Sequence, residues 1–189
     1  MSKSLREIGE IAASWWVSVL EKPKFDNGDT GVSGALGMTM ASMLMKPVEK
    51  QSLEVFAEKM ARMVEIRLAE NPRRFDFYVD YAPDGNLRGL AEVAGIPIDN
   101  FPIKTSMVMS ENHVDVRYGY SADVQILYAN KKYWQNQIES AKSAIVRYQD
   151  KSEFSRMDDE ARKESIAFYK SKVDEYTANM ENAELLEGR

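Results

Sequence analysis

Five charged side chains in the middle of this 189-residue sequence have the spacing that could do chemistry. Asp76, Asp80 and Asp115 fall in runs that alternate polar with apolar residues, and Lys104 and Arg117 fall in neighbouring runs of the same kind. On one sheet face, paired carboxylates could move protons or hold a divalent cation. Two cations on that same face point elsewhere, to cross-strand ion pairs on a solvated surface. The surface reading is the stronger, with a ligand or partner site as its alternative.

A helix predicted to start near Asp84 directly after a strand could offer its free amides to an anion. Arg88, Lys104 and Arg117 would then supply positive charge for a signalling nucleotide. No Gly-x-Gly-x-x-Gly or Gly-Lys-Ser/Thr sequence accompanies the helix, and Asp80 and Asp84 would repel phosphate. Between Asp26 and Gly37 a calcium loop is suggested by Asp26, Asn27 and Asp29. Counted from Asp26, Gly31 takes position six, but Gly28 falls on a ligand position and Gly37 where the bidentate Glu belongs. The segment reads as a solvated turn. The single histidine, His113, lies in a predicted hairpin turn, where a triad would need a nucleophile and a carboxylate beside it. It reads as an exposed turn residue. Cysteine is absent, which removes thiol catalysis, disulfides and thiolate-bound zinc. No metal or other cofactor and no catalytic residue is expected, so the protein is read as a non-enzyme.

Two further features suit a protein partner. Trp15 and Trp16 are adjacent on a helix and point about 100° apart, so at most one is central to the core. Trp15 falls in the apolar stripe, which makes Trp16 the candidate partner anchor. From Asp174 to Glu187 the chain carries Asp174, Glu175, Glu181, Glu184 and Glu187 with no basic residue between them. A solvated helix end is the plain reading, and an acidic contact for a basic protein the sharper one. Elsewhere charge is even: residues 1–103 hold 12 basic and 15 acidic side chains, residues 104–189 hold 13 and 15, and the net charge is −5. Direct nucleic-acid binding is not expected, because it needs clustered Lys and Arg.

The elements that must position these groups follow from periodicity. Ser4-Leu5-Arg6-Glu7 forms a capping box for a helix over 5–21 striped by Ile8, Ile11, Ala12, Trp15 and Val19. After the turn-rich segment Lys22–Gly31 comes a short helix over 34–45. A long helix carrying Leu53, Phe56, Met60, Val64 and Leu68 then stops at Asn71-Pro72. The period changes to two at Phe75, Phe77, Val79 and Tyr81, which alternate with Asp76, Tyr78 and Asp80. A short helix with Leu87, Leu90, Ala91 and Ala94 ends at Gly95. Strands over Lys104–Met109 and Val114–Tyr120 are joined by Ser110–His113 as a hairpin. From about Ala122 the helical period returns through Leu127, Trp134, Ile138, Ala141, Ile145 and Tyr148. After a polar break it resumes through Ile166, Tyr169, Val173, Tyr176, Met180 and Ala183.

The expected fold is therefore α+β, a three-stranded antiparallel sheet packed with helices over 1–121, plus a C-terminal antiparallel helical hairpin over 122–189. The hairpin should close on itself or add a homodimer contact. With 44% hydrophobic and 29% charged residues the chain can bury a core and stay soluble. No stretch reaches the roughly 18 apolar residues of a membrane span. Cytoplasm is the expected compartment, and no membrane partner is expected.

The capped helix with adjacent Trp, the Met-rich helix, the long helix, Asp80-Tyr81-Ala82-Pro83-Asp84 and Ala91-Glu92-Val93-Ala94-Gly95-Ile96 carry a resemblance, together with Phe101-Pro102-Ile103-Lys104-Thr105 and Val114-Asp115-Val116-Arg117-Tyr118-Gly119-Tyr120. In this order, over residues 5–121, they look like small accessory proteins of phages and prophages in Firmicutes. That group includes anti-CRISPR inhibitors of type II RNA-guided nucleases. The resemblance implies a phage-encoded protein acting in the host cell, which inhibits a host defence protein, the type II effector nuclease, by stoichiometric binding. The residue-level alternatives are a signalling-nucleotide sponge built on Arg88, Lys104 or Arg117, and a self-associating phage assembly or scaffold protein.

Overall fold

The structure, a computed structural model, describes residues 3–21, 47–119, 122–150, 154 and 157–187. The expected loop at Lys22–Gly31, its calcium-like turn and the short helix over 34–45 lie outside these residues. The chain forms two compact units, Lys3–Tyr128 and a second beginning at Ala129.

The first unit opens with α1 (Leu5–Glu21) and α2 (Lys50–Glu70). The capping box forms: the Glu7 amide donates to Ser4 Oγ (3.2 Å) and the Ser4 amide to Glu7 Oε2 (2.8 Å). Accepting the Ser4 amide, with help from the Ser4 hydroxyl, holds the Glu7 carboxyl below its usual value. Ile8, Ala12, Trp16 and Leu20, four residues apart, form the buried line of α1. The expected phase of the two tryptophans is thus reversed. Trp16 is 0% exposed, and Trp15 is half-buried with its ring edge-on to Trp16 at 5.1 Å. Gly9 and Ala13 flank the line toward α2, which centres the core side on Trp16 rather than Trp15. A Cβ on Gly9 would lie 2.5 Å from the Ala61 carbonyl oxygen, so only glycine allows the two helices this approach.

The sheet has four strands in the order β1 (Phe75–Val79), β2 (Thr105–Ser110), β3 (His113–Tyr118) and β4 (Gln125–Ala129). The first three pair antiparallel as expected. The fourth corrects the expectation of three strands and of helix from Ala122. Leu127 belongs to β4 and, with Tyr128, packs on the core of the first unit. The helical period starts only at Lys131, where the Asn130 side chain accepts the Tyr133 amide (3.0 Å) as an N-cap. Leu127 lies seven positions before Trp134, a spacing that imitates a helical repeat across the change of element at Asn130.

Between β1 and β2 lies α3 (Gly85–Ala94). Gly95, at φ 70°, ends it, and the Ile96 amide folds back on the Ala91 carbonyl (2.9 Å). Phe77, Met107 and Val116 occupy neighbouring positions on the inner sheet face and join the core formed by α1, α2 and α3.

The second unit is an antiparallel hairpin of α4 (Lys131–Gln149) and α5 (Asp159–Glu187). Lys131 pairs with Glu184 at one end, Trp134 meets Tyr176 (5.9 Å between centroids), and Tyr148 stacks on Tyr169 (5.7 Å) at the other. Trp134, Ile138 and Ala141 are buried on α4, whereas Ile166, Tyr169, Val173, Tyr176 and Met180 on α5 stay partly exposed. Two helices alone offer each stripe one neighbour, which leaves the α5 stripe partly open to solvent. No helix among the described residues is long and apolar enough to cross a membrane.

Candidate partner-binding surface

The register of the sheet lays out its outer face row by row. Asp76, Val108 and Asp115 form one row, and Tyr78, Ser106 and Arg117 the next. Asp76, Asp115 and Arg117 share a face as expected, but the carboxylates do not make a dyad. Asp76 and Asp115 stand two strands apart, about 9–10 Å at the ordinary strand spacing, too far to share a proton or a cation. Each has its own basic-residue neighbour: Arg74 lies 3.6 Å from Asp76, and His113 Nε2 lies 3.5 Å from Asp115. Arg117 is exposed.

Asp80 and Lys104 lie just beyond the strand ends and form an ion pair with each other. Lys104 holds a left-handed backbone (φ 56°), which costs a non-glycine residue about 1 kcal/mol. Two backbone bonds hold it there. The Lys104 amide donates to the Asp80 carbonyl, and the Gly119 amide to the Lys104 carbonyl, both at 3.0 Å. Its Nζ also sits 3.9 Å from the centre of the Tyr81 ring, a cation–π contact. The ammonium is engaged within the protein, and the ring it steadies is 74% exposed. Tyr78, on the outer face, is 54% exposed. The alternation that put Tyr81 on the buried face fails because β1 ends at Val79, which bridges back to Pro83. Neither tyrosine stood out in sequence; Tyr78 carried a signal, falling at the polar phase of its strand.

Asp84 has a structural task. Its Oδ1 accepts the amides of Asn86 (2.7 Å) and Leu87 (3.0 Å), and its Oδ2 accepts the amide of Tyr78 (2.7 Å). The start of α3 is filled by this chain's own carboxylate, so a phosphate would have to displace it. Arg88, exposed on α3, has no anion site to serve there.

His113 does meet a hydroxyl and a carboxylate. Ser110 Oγ lies 2.7 Å from Nδ1, and Asp115 lies on the Nε2 side. The arrangement is a turn rather than a triad. Ser110 is buried, and its Oγ accepts the amides of Asn112 (3.1 Å) and His113 (3.2 Å). Buried and already accepting two backbone amides, the oxygen has its lone pairs engaged in the turn and is not free to attack. His113 is half-buried at the start of β3, which corrects its reading as an exposed turn residue.

The remaining candidates separate cleanly. Trp16 packs on Phe101 (5.8 Å) inside the core and presents no surface, so it is not a partner anchor. Asp174, Glu175, Glu181 and Glu184 are all exposed on α5, yet Glu175 takes Lys172 (2.7 Å) and Glu184 takes Lys131. The bond from Glu175 raises the Lys172 pKa above its usual value. Part of the acidic run is thus already matched by cations that sequence order alone leaves outside it. Compared with known families and curated proteins, the chain matches no family model and no curated protein.

Proposed function

We propose that this is a binding protein that inhibits a host defence protein stoichiometrically, with its contact on the outer sheet face. The observation that carries this reading is the pair Tyr78 and Tyr81, exposed yet fixed by the sheet and by Lys104. Rigid, accessible tyrosines beside an arginine such as Arg117 are the side chains that dominate protein interfaces, because they bury much area at little entropic cost. The partner, a type II RNA-guided effector nuclease, follows from the resemblance to phage accessory proteins. The test is co-elution with a guide-loaded effector. Wild type should co-elute, and the Tyr78→Ala, Tyr81→Ala pair should not. Co-elution unchanged by both substitutions would move the contact elsewhere.

The hairpin supports a second reading, self-association of the scaffold kind or as a homodimer. Val146 and Phe168 are large, apolar and exposed. Val146 lies fifteen residues after Lys131 and Phe168 sixteen before Glu184, so the Lys131–Glu184 pair puts them at one level of the hairpin. A second copy would cover these side chains and the partly exposed α5 stripe.

A further inference from the structure

We propose that a groove between α2 and α3 docks an amphipathic helix whose apolar stripe is flanked by acidic residues. The groove encloses about 520 Å³, and its floor is made by Met63 and Ile66 of α2 and Leu90 and Val93 of α3. Ile66 is 48% exposed and Val93 65%, so the floor faces solvent. An open trough between two helices suits a helix laid into it, whereas a small ligand calls for a cleft that encloses most of its surface.

The rim supplies the charge preference. Lys59, Arg62 and Arg67 line the groove on α2, a cationic edge on a protein whose net charge is −5. Arg67 also pairs with Glu70 (3.4 Å), but Lys59 and Arg62 pair with no acid among the described residues. Acidic side chains beside the apolar stripe of the docked helix complement them. Lys59 to Arg67 spans about 12 Å of helix axis, so the occupant engages about two turns.

Gly89 provides an independent observation. It lies within α3 and lines the groove. A glycine there costs about 0.5–1 kcal/mol of helix stability relative to alanine. Unlike Gly9, it answers no need of the unit's own packing, since a Cβ would meet nothing within 4 Å. Its backbone is ordinary helix, so no left-handed conformation requires it either. What the missing side chain leaves free is room for another backbone to approach the floor.

The probe is a fluorescein-labelled peptide of about 15 residues, with leucines at i, i+3, i+4 and i+7 and glutamates on both flanks. A matched peptide carries lysines in place of the glutamates. Fluorescence anisotropy against the full-length protein should show the glutamate peptide binding with Kd at least about tenfold below that of the lysine peptide, a gap that narrows as salt is raised. Gly89→Leu, which fills the groove, and Ile66→Glu, an exposed charge on its floor, should each abolish binding while staying folded, with Gly89→Leu melting at or above wild type. The Tyr78→Ala, Tyr81→Ala pair should leave it unchanged, which separates this site from the outer sheet face. Equal affinity for both peptides, binding of neither, or full binding by folded Gly89→Leu and Ile66→Glu would overturn the proposal. So would loss of self-association in Gly89→Leu, which would assign the groove to a second copy.

Discussion

Asp84→Ala separates a structural carboxylate from a recognition one. The Asp84 carboxylate accepts three amides, two at the start of α3 and one from Tyr78 at the sheet edge. Loss of an aspartate N-cap costs about 1 kcal/mol. Leaving the partly buried Tyr78 amide without its acceptor costs about another 1–2 kcal/mol. The two effects share one side chain but not one hydrogen bond, so a total of about 2–3 kcal/mol is expected. For a unit of this size that lowers the Tm by about 10 °C. Asp84→Asn keeps the Oδ1 acceptor for α3 and turns an NH2 group toward the Tyr78 amide, so it should lose only the second part. Urea unfolding followed by tryptophan fluorescence gives both values. An Asp84→Ala protein within about 0.5 kcal/mol of wild type that nevertheless fails to bind its partner would refute the reasoning and return Asp84 to the recognition surface.

Gly9→Ala should lower stability by about 1–3 kcal/mol, because its methyl group meets the Ala61 backbone and not a movable side chain; the same urea titration measures it. Glu7→Gln should cost helicity of α1 at neutral pH and little in acid. The wild-type carboxylate is stabilised in the fold, so its contribution is present above the usual carboxyl pKa and fades as pH falls through the lowered one, which paired circular-dichroism titrations would show. Val146→Glu with Phe168→Glu should halve the mass seen by light scattering without loss of helix, and a mass unchanged from wild type would leave the hairpin patch without a role.

The strands β1 to β3, the three helices around them and the caps at Ser4 and Gly95 were legible because local periodicity and capping chemistry agree with burial there. Trp16 was not, since adjacent tryptophans differ only in helical phase, and the phase is set by where α2 crosses α1 at Gly9 and Ala61. β4 was hidden by Leu127, which happens to lie seven residues before Trp134 and so mimics a heptad step. Asp84 read as a charge near an anion site and turned out to be the anion, a reversal decided by the Tyr78 edge six residues away. Tyr81 and the groove depend on tertiary placement: the first on where β1 ends, the second on two helices whose separate stripes each look like ordinary core.

The most direct measurement is DNA cleavage by a purified, guide-loaded type II effector across a titration of this protein. Inhibition should saturate near one molecule per effector, and the Tyr78→Ala, Tyr81→Ala pair should shift the curve by at least about tenfold, or roughly 1.4 kcal/mol. Removing residues 174–189 should shift it less, because Lys131 and Lys172 already match part of that acidic run. No inhibition at about tenfold molar excess against effectors from several Firmicutes, or inhibition that persists far below equimolar, would contradict a stoichiometric inhibitor of such nucleases.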